Sequence, residues 1–272
     1  MPVRPSPLVS EAEVAAASGD DDLVVWAAQG MRPGVRAWAY GEAVAVASPA
    51  AARRDRLAVT GEPAQVVPLL RHALAEAGPS FRPLGAAALM EEVVRAAPEL
   101  EPVGHFTWMV TEKLAPPLAG APGLADRAPE GSSDGSSAGG RPVAAEAAWL
   151  EPAEEREVAA VLAAAHPHSY AVPGLPGVRR WAGIRDGARA LLAVAADAWS
   201  APSVGLLAGV ATAVPARGHG LGERVCRFTA SALLDAHGRV ALMVDDWNAP
   251  AIAVYERLGF TRRRLGVAAV RP

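Results

Sequence analysis

The strongest chemical signal in the sequence is a glycine-rich turn between a long apolar segment and a helical one. The apolar run 204–214 stops at Pro215, which has no N–H to continue a sheet; Arg217 then precedes three glycines, Gly218, Gly220 and Gly222. Glycine permits positive φ and close approach of the backbone to a ligand. The first amides of the following helix lack internal partners, and the helix dipole favours negative charge there. The turn therefore predicts an anion site that suits a pyrophosphate.

Two other phosphate-binding loops have a similar composition. A dinucleotide-binding turn reads GxGxxG, whereas the spacing here is GxGxG, and Asp235 lies within or at the end of the helix instead of at the tip of a second strand. A Walker loop is excluded because no GK[ST] follows. Taken alone, the turn leaves the phosphate ligand open, with a nucleotide-binding Rossmann protein as one interpretation.

A second motif lies further along the chain. Asn248-Ala249 is followed, after a short helical stretch, by Tyr255-Glu-Arg-Leu-Gly-Phe260. Together with Arg217-Gly-His-Gly-Leu-Gly222, this segment resembles the two signatures of GNAT N-acetyltransferases, R/Q-x-x-G-x-G/A and Y-E-x-L-G-F. The strand pair 181–199 is similar to that of the FR47-like, glycine-N-acyltransferase-like branch. The resemblance covers residues 145–272 and implies an α/β (α+β) GNAT fold, a mixed central sheet flanked by helices.

The resemblance implies a role for each matching position, with acetyl-CoA as cosubstrate and an amine as acceptor. Five consecutive amides would hold the cofactor pyrophosphate: Gly218, His219, Gly220, Leu221 and Gly222. Arg217 would lie at the turn. The backbone at Ala213 and Val214 would pair with the pantetheine arm, where the strands ending at Val214 and Val244 splay apart. Asn248 would form a hydrogen bond near the cofactor.

Tyr255 and two carboxylates are the candidates for the chemical step. Direct transfer needs an amine to attack the thioester carbonyl and a proton to reach the departing sulfur. A phenol with a pKa of about 10 can supply that proton while staying neutral at pH 7, and the resemblance gives this role to Tyr255. Asp245 and Asp246 follow the penultimate strand and are candidate bases, with His168 as a third, because the central strand has no acid. Plainer interpretations remain: packing for Tyr255, a helix cap for Asn248, and turn residues for the two aspartates.

The first part of the chain, residues 1–114, alternates strands and helices. The pattern predicts a frayed tail up to about Asp20 and then seven elements: strands at 23–26, 35–40, 43–47, 57–60 and 105–110, and helices from Pro63 and over 86–95. No phosphate-binding turn occurs among them. Because the length suits a reduced copy of the same fold, we interpret this part as a smaller, degenerate GNAT-like α/β domain that shapes the acceptor site or an interface.

The second part, residues 143–272, is predicted to be the acetyltransferase domain. Its pattern predicts strands at 145–150, 181–184, 190–199, 204–214, 240–244 and 260–270, and helices from Glu151, over 220–237 and over 248–258. The stretch 115–142 is rich in Pro, Gly, Ser and Ala and has no apolar periodicity. We therefore expect it to be a linker between the two domains.

Composition narrows the class of protein. A formal net charge of −3 gives no reason to expect nucleic acid or an anionic membrane as a partner, and Cys226 is the only cysteine, so no intrachain disulfide or thiolate metal cluster is expected. No signal-peptide or membrane-spanning run occurs, so a cytoplasmic protein is expected. The motifs then predict an N-acetyltransferase acting on a primary amine of a small molecule or peptide. A non-catalytic acyl-CoA sensor is the alternative, and a homodimer is among the oligomeric states left open.

Overall fold

The computed structural model describes residues 5–117 and 146–271 of the chain. The predicted linker, apart from its first residues, lies outside the described residues. The first half contains six strands and four helices: β1 (Ser6–Leu8), α1 (Glu11–Ser18), α2 (Asp22–Ala28), β2 (Arg36–Tyr40), β3 (Ala43–Ala51), β4 (Arg54–Thr60), α3 (Pro63–Ala77), β5 (Arg82–Ala86), α4 (Ala87–Ala96) and β6 (Leu100–Thr111).

The second half has the same alternation. Its described elements are β7 (Ala148–Trp149), α5 (Glu155–Ala165), β8 (Val178–Arg185), β9 (Leu191–Ala198), β10 (Gly205–Thr212), α6 (Leu221–His237), β11 (Val240–Val244), α7 (Ala249–Arg257) and β12 (Thr261–Val270). Helix α6 buries Leu221, Val225 and Leu233 on one side and ends at Gly238, whose φ of 81° suits glycine. The strands and helices predicted for this half are present, although the strand predicted at 145–150 is reduced to two residues.

All twelve described strands form one sheet. Their order is β1-β2-β3-β4-β5-β12-β6-β11-β10-β9-β8-β7. Two neighbouring pairs are parallel, β4 with β5 and β10 with β11, and the other neighbours are antiparallel. The predicted fold class, a mixed sheet flanked by helices, is therefore confirmed.

The two parallel pairs show that the halves repeat one topology. In the first half, β4 is connected to β5 through α3, and three residue pairs join the strands, from Arg56↔Arg82 to Ala58↔Leu84. In the second half, β10 is connected to β11 through α6, and three residue pairs join them, from Gly205↔Val240 to Leu207↔Leu242. The degenerate copy predicted for the first half has this strand–helix–strand unit.

The halves exchange their last strands at the centre of the sheet. β6 lies between β12 and β11, so a strand of the first half pairs with two strands of the second. β12 in turn pairs with both β5 and β6. The β6–β12 ladder contains ten residue pairs, from Thr261↔Val110 to Val270↔Leu100. The last strand of each half therefore lies between two strands of the other half.

The core has three parts. One lies on a single face of the sheet across both halves, under α1, α2 and α5, and contains Trp26, Trp108 and Trp181. On the opposite face, α6 and α7 cover the second half, and α3 and α4 cover the first. Because the shared part includes residues from both halves, apolar burial joins them as strand pairing does.

Two predictions for the N-terminal segment were wrong. Residues 23–26 lie in helix α2, not in a strand, because Asp21 caps the helix by accepting from the amides of Leu23 and Val24. The helix is buried on all sides, and such a short apolar run has no period that separates helix from strand. The tail predicted up to Asp20 contains β1 and α1, which begins at a Ser10 cap. Strand β5 was not predicted.

Candidate functional site

Strands β10 and β11 separate at their C-terminal ends. Their ladder stops at Leu207↔Leu242, whereas β11 stays paired with β6 as far as Val244↔Thr107. On its other side β10 has a bulge between Ala208 and Ala211. The predicted splay between these strands is present, and it leaves the last residues of β10 with an open edge.

Gly209 lies in this bulge with φ of +62°. A Cβ atom at this position would lie 2.5 Å from the ring of Trp181 and 3.2 Å from the Cβ of Ala171. The chain therefore turns away from β11 where only glycine fits. Sequence analysis missed this feature, although a single glycine inside an apolar strand is a signal for a bulge.

The predicted anion turn begins directly after β10. Residues 214–216 form a short 3-10 helix, and Gly218 and Gly220 have φ of 78° and 72°. The space beside both glycines is open. The first helical bond of α6 runs from the amide of Arg224 to the carbonyl of Gly220, so the amides of the turn before Arg224 lack an intrahelical acceptor. The turn therefore presents free N–H groups at the positive end of a long helix.

Arg217 supports the turn by contacts within the protein. One guanidinium nitrogen donates to the carbonyl of Ala165 at 3.0 Å, and Nε donates to the carbonyl of Thr212 at 3.4 Å. Ala165 ends α5, so the cation also lies at the negative end of that helix dipole. Arg217 thus joins β10, the turn and α5, while the backbone of the turn stays open.

The backbone groups of Ala213 are both occupied. Its N–H donates to the carbonyl of Leu192 on β9, and its C=O accepts from the amide of Ala216, each at 2.8 Å. Because successive residues of a strand point their backbone groups to opposite edges, the N–H of Thr212 faces the splay instead. Val214 is 54% exposed at the same end of the strand.

Tyr255 lies on α7 beneath the same part of the sheet. Its side chain is 7% exposed and packs with α6, and its ring centroid is 6.0 Å from that of Phe260. Burial, and to a lesser degree the neighbouring Cys226 thiol, raises the pKa of the Tyr255 phenol well above its ordinary value. Among the described residues, no hydrogen-bond partner occupies its hydroxyl. The phenol is therefore neutral and retains its donor.

The two candidate carboxylates differ in their surroundings. Asp246 accepts from the Thr107 hydroxyl at 2.7 Å and pairs with Arg264 Nε at 2.8 Å. Partial burial raises the pKa of Asp246, but these two bonds outweigh it and hold the pKa below its usual value. Asp245 is exposed, and electrostatically it opposes the fall in the pKa of His166 that partial burial causes.

The remaining predicted residues lie at the same end of the sheet. The side-chain oxygen of Asn248 caps α7 by accepting from the backbone N–H of Ala251 at 3.3 Å. The backbone N–H of Asn248 donates to the carbonyl of Asp245 at 2.9 Å. His168 is exposed and close enough to lower the pKa of His166. Sequence analysis treated His166 as loop surface; its proximity to Asp245 depends on tertiary structure and has no local signal.

The corresponding turn of the first half is not an anion site. Between β4 and α3 it contains only Gly61 and Glu62, and α3 begins at Pro63, which contributes no amide at the start of the helix. A carboxylate at Glu62 opposes an anion. A Cβ at Gly61 would lie 2.6 Å from the backbone of Ala43, so no space is left there. Of the two repeats, only the second has an open glycine turn.

This arrangement agrees with a family match in the second half. Residues 182–267 match the model of the family described as FR47-like protein. The matched segment of the second half is an FR47-like domain. The FR47-like match begins within β8 and ends within β12, so it includes the splay, the glycine turn and Tyr255. No curated protein matches the chain.

Solved structures are similar to the whole chain in fold. A GCN5-related N-acetyltransferase from Sphaerobacter thermophilus has a TM-score of 0.53 at 14% identity, covering 95% of this chain and 90% of that one. One from Kribbella flavida has a TM-score of 0.51 at 16% identity, covering 85% and 86%. A tandem GNAT protein from the clavulanic acid biosynthesis pathway has a TM-score of 0.51 at 13% identity and covers 99% of both chains.

These similarities concern the fold of the two halves together. The two repeated units in one sheet fit the two-domain description of a tandem GNAT protein. The fold and the family match support acyl transfer from acetyl-CoA in general. None of the helices in residues 5–117 and 146–271 has the length and apolar character needed to cross a membrane.

Proposed function

We propose that this chain is an N-acetyltransferase that transfers the acetyl group of acetyl-CoA to a primary amine by direct attack. One observation carries the proposal: β10 and β11 splay directly before a glycine turn whose free amides open α6. An open strand edge and an anion site are thus adjacent, as a ligand with a pyrophosphate and an amide-containing arm requires.

The cofactor is proposed to lie along this surface. The amides of residues 218–222 bind the pyrophosphate, and Arg217 holds the turn in shape through its bonds to Ala165 and Thr212. Because the groups of Ala213 are occupied, the pantetheine arm pairs with the open edge at Thr212, next to Val214. The thioester then enters the splay, with Asn248 near the cofactor as the cap of α7.

Tyr255 is proposed as the general acid. The amine nitrogen attacks the thioester carbonyl, the C–N bond forms and the C–S bond breaks, and the phenol gives its proton to the departing thiolate. Burial keeps the phenol protonated until then. The proton that leaves the amine passes to solvent or to a base, and phenolate takes a proton back before the next cycle.

Asp245 is the better of the two candidate bases. Asp246 is paired with Thr107 and Arg264, which hold its pKa low and use both its oxygens. Asp245 is exposed and interacts electrostatically with His166, whose lowered pKa keeps the imidazole neutral at pH 7. We therefore propose that Asp245 and His166 accept the amine proton, directly or through water.

We propose that the two halves have different roles. Residues 143–272 hold the cofactor, residues 115–142 connect the halves, and residues 1–114 shape the acceptor site. Of the two repeated strand–helix units, only the second has an open glycine turn, since the first-half turn at Gly61 is closed by Ala43 and carries Glu62.

Ligand-induced thermal stabilisation tests the cofactor site. At a hundredfold excess over its Kd, acetyl-CoA should stabilise the native state by about 2.7 kcal/mol and raise Tm by about 5 °C or more. A Gly220→Glu variant should lose this shift, because a carboxylate would occupy the anion site. Gly238→Glu is the matched control: Gly238 has φ of +81° and open space at the other end of α6. It should keep the shift.

Two results contradict the proposal. If no CoA ester stabilises the wild type at saturation, the chain has no acetyl-CoA site. If NAD stabilises it instead, the glycine turn belongs to a nucleotide-binding protein. Equal loss of the shift in both glycine variants would show that strain in α6, and not the charge at the turn, abolishes binding.

A further inference from the structure

Arg56 on β4 is a buried cation between the two halves. The residue is 8% exposed, its Nε donates to the carbonyl of Ala51 at 2.8 Å, and its guanidinium lies 5.9 Å from the ring centroid of Trp26. No other hydrogen bond of its guanidinium and no ion pair is present among the described residues. Two guanidinium nitrogens are thus left without a protein acceptor in the described part of the chain.

The neighbours of Arg56 add positive charge instead of neutralising it. Arg82 lies opposite Arg56 in the parallel register of β4 and β5, and Arg54 precedes it by two residues on the same face of β4. Neither forms an ion pair with a described residue. Burial lowers the pKa of Arg56 to about 10; the two neighbouring arginines contribute to this fall, and Tyr170 opposes it. A buried cation of this kind is costly unless an anion joins it.

The cation is connected to the proposed acetyl-transfer site through the loop after α5. Tyr170 acts electrostatically on Arg56, and it precedes Ala171, whose Cβ faces the Gly209 bulge of β10. Ala51, Trp26 and Ala171 belong to one buried cluster. The loop that contains His166 therefore extends from the splay to the guanidinium of Arg56. At that end of the loop, the positive charge comes from the first half.

A structural role alone does not explain the residue. The bond to Ala51 uses one of five guanidinium N–H groups, and a neutral donor would make it without the cost of burying a charge. The planar fork of an arginine matches the two oxygens of a carboxylate or the oxygens of a phosphate. The unused side of this fork is therefore the feature that points to a ligand.

We propose that the acceptor amine carries an anionic group and that Arg56 of the first half binds it. This rests on the proposed function, because it assigns a substrate class to the same acetyl-transfer site. The amine nitrogen lies at the splay near Asp245 and His166, and the oxyanion lies at the fork of Arg56, with Tyr170 beside the path between them. The first half thereby selects the substrate.

Matched amines test this directly. Wild-type protein saturated with acetyl-CoA is offered β-alanine, 2-aminoethylphosphonate and β-alaninamide, which differ only in the terminal group, and then 5-aminovalerate and diglycine with their amides. The acetylated product is measured by mass spectrometry. We expect an anionic member to exceed its amide at least tenfold in kcat/KM, as expected for a hydrogen-bonded charged group. The carboxylate and phosphonate arms identify the oxyanion.

Variants assign the preference to Arg56. Arg56→Gln should reduce the preference to about one by raising KM for the anionic amine and leave the KM for acetyl-CoA unchanged. Arg56→Lys keeps the buried charge without the fork and should retain part of the preference; it also serves if the glutamine variant does not fold. Arg53→Gln removes the same charge from an exposed turn residue and should match the wild type.

The outcomes separate this inference from the proposed function. If amides are acetylated as well as acids, or if Arg56→Gln keeps the preference, the inference is wrong and the acetyltransferase proposal stands. If no amine reacts, the acetylated products are added to the CoA complex. Stabilisation by N-acetyl-β-alanine but not by its amide, lost in the Arg56 variants, supports the inference, and its absence overturns it. Failure of the proposed function itself would appear earlier, as absence of acetyl-CoA binding.

Discussion

Tyr255 combines the two properties that a general acid needs at this site. The phenol is buried, so its pKa is raised, and its hydroxyl has no competing partner among the described residues. These properties favour an enzyme over an acyl-CoA sensor. The absence of an acid from β10 and the pairing of Asp246 are the observations that favour a sensor, so the two functions need to be separated by experiment.

Replacing Tyr255 with Phe separates them. We expect kcat to fall by about a hundredfold or more, because the leaving thiolate loses its proton donor, while the acetyl-CoA-induced rise in Tm is unchanged. Tyr40→Phe, in β2 at the far side of the sheet, is the control and should leave both unaltered. A wild type that binds acetyl-CoA but acetylates no amine, together with a Tyr255→Phe variant of equal affinity, would support the sensor.

The bond between Asp246 and Arg264 predicts a pH-dependent contribution to stability. The folded pKa of Asp246 is held below its unfolded value, so its contribution is present above about pH 4 and is lost as the pH falls through the folded pKa. Because the Arg264 side chain is 60% exposed, we expect Asp246→Asn to cost at most about 1 kcal/mol at pH 7.

Urea unfolding at several pH values measures this difference. Asp235→Asn provides the control, since Asp235 is exposed on α6 and forms no side-chain hydrogen bond or ion pair with a described residue. Its stability relative to the wild type should change less between pH 7 and pH 3 than that of Asp246→Asn. The assignment fails if the two variants have the same pH profile.

Among the elements, an ion-pair cluster connects the start of α2 to β12 and β6 at the centre of the sheet. Arg263 on β12 pairs with Asp21 at 2.6 Å and with Asp22 at 2.7 Å, and Asp22 also accepts from Trp108 Nε1 on β6 at 2.8 Å. Burial raises the pKa of Asp22 even though Arg263 lowers it. The cluster joins elements that are far apart in sequence but adjacent in the sheet.

Loss of Arg263 should therefore cost more than loss of a neighbouring arginine. We expect Arg263→Ala to lower the free energy of unfolding by about 2–4 kcal/mol, because the mostly buried Asp22 loses its ion-pair partner and keeps only the bond from Trp108. The loss should grow as the pH rises above about 4, because removal of Arg263 raises the already raised pKa of Asp22 and so penalises its charged form. Arg262→Ala, whose side chain is 63% exposed beside Glu256, should cost about 0.5 kcal/mol or less. Similar costs for both would contradict the cluster's role.

Local sequence patterns predicted the elements of the second half better than those of the first. The glycine turn, α6 and α7 carry their signals within a few residues, as Gly218, Gly238 and Asn248 show. Strand β5 has the sequence Arg-Pro-Leu-Gly-Ala, whose proline and glycine are typical of turns. Its strand conformation comes from pairing with β4 and β12, which no local pattern contains.

The same limit applies to the candidate site. The turn and Tyr255 could be found from spacing, because their roles depend on adjacent residues. The hydrogen bond between Thr107 and Asp246 could not be found from spacing, since Thr107 lies on β6 in the other half. The same holds for the proximity of Arg56 to Tyr170 and Trp26. Sequence patterns identified the glycine turn but not the surroundings of Asp246 and Arg56.

At the scale of the whole molecule, the exchange of β6 and β12 makes each half depend on the other. Residues 1–117 lack the strand that separates β5 from β6, and residues 146–272 lack the strand between β11 and β12. Each fragment alone therefore exposes unpaired strand edges. Although each half contains the strand–helix–strand unit, we expect neither half to fold stably without the other.

Two fragments test this dependence. Expressed separately, residues 1–117 and 146–272 should be insoluble or partly folded, whereas together they should form a stable one-to-one complex on size-exclusion chromatography. In that complex, and in the intact chain, amides of β6 and β12 should be among the slowest to exchange with deuterated solvent. A fragment 1–117 that is monomeric and exchanges as slowly as the intact chain would contradict the interdependence.

The central place of β12 also determines when the sheet can close during protein synthesis. Chains leave the ribosome from the N-terminal end, and the first domain of a protein commonly folds while the rest is still being made. Here β5 and β6 emerge early, but the strand that pairs with both is the last described element to be translated. Throughout translation of the second half, the nascent chain has an open seam in its sheet. We therefore expect its yield in a cell to rise when chaperones shield that seam until β12 is released.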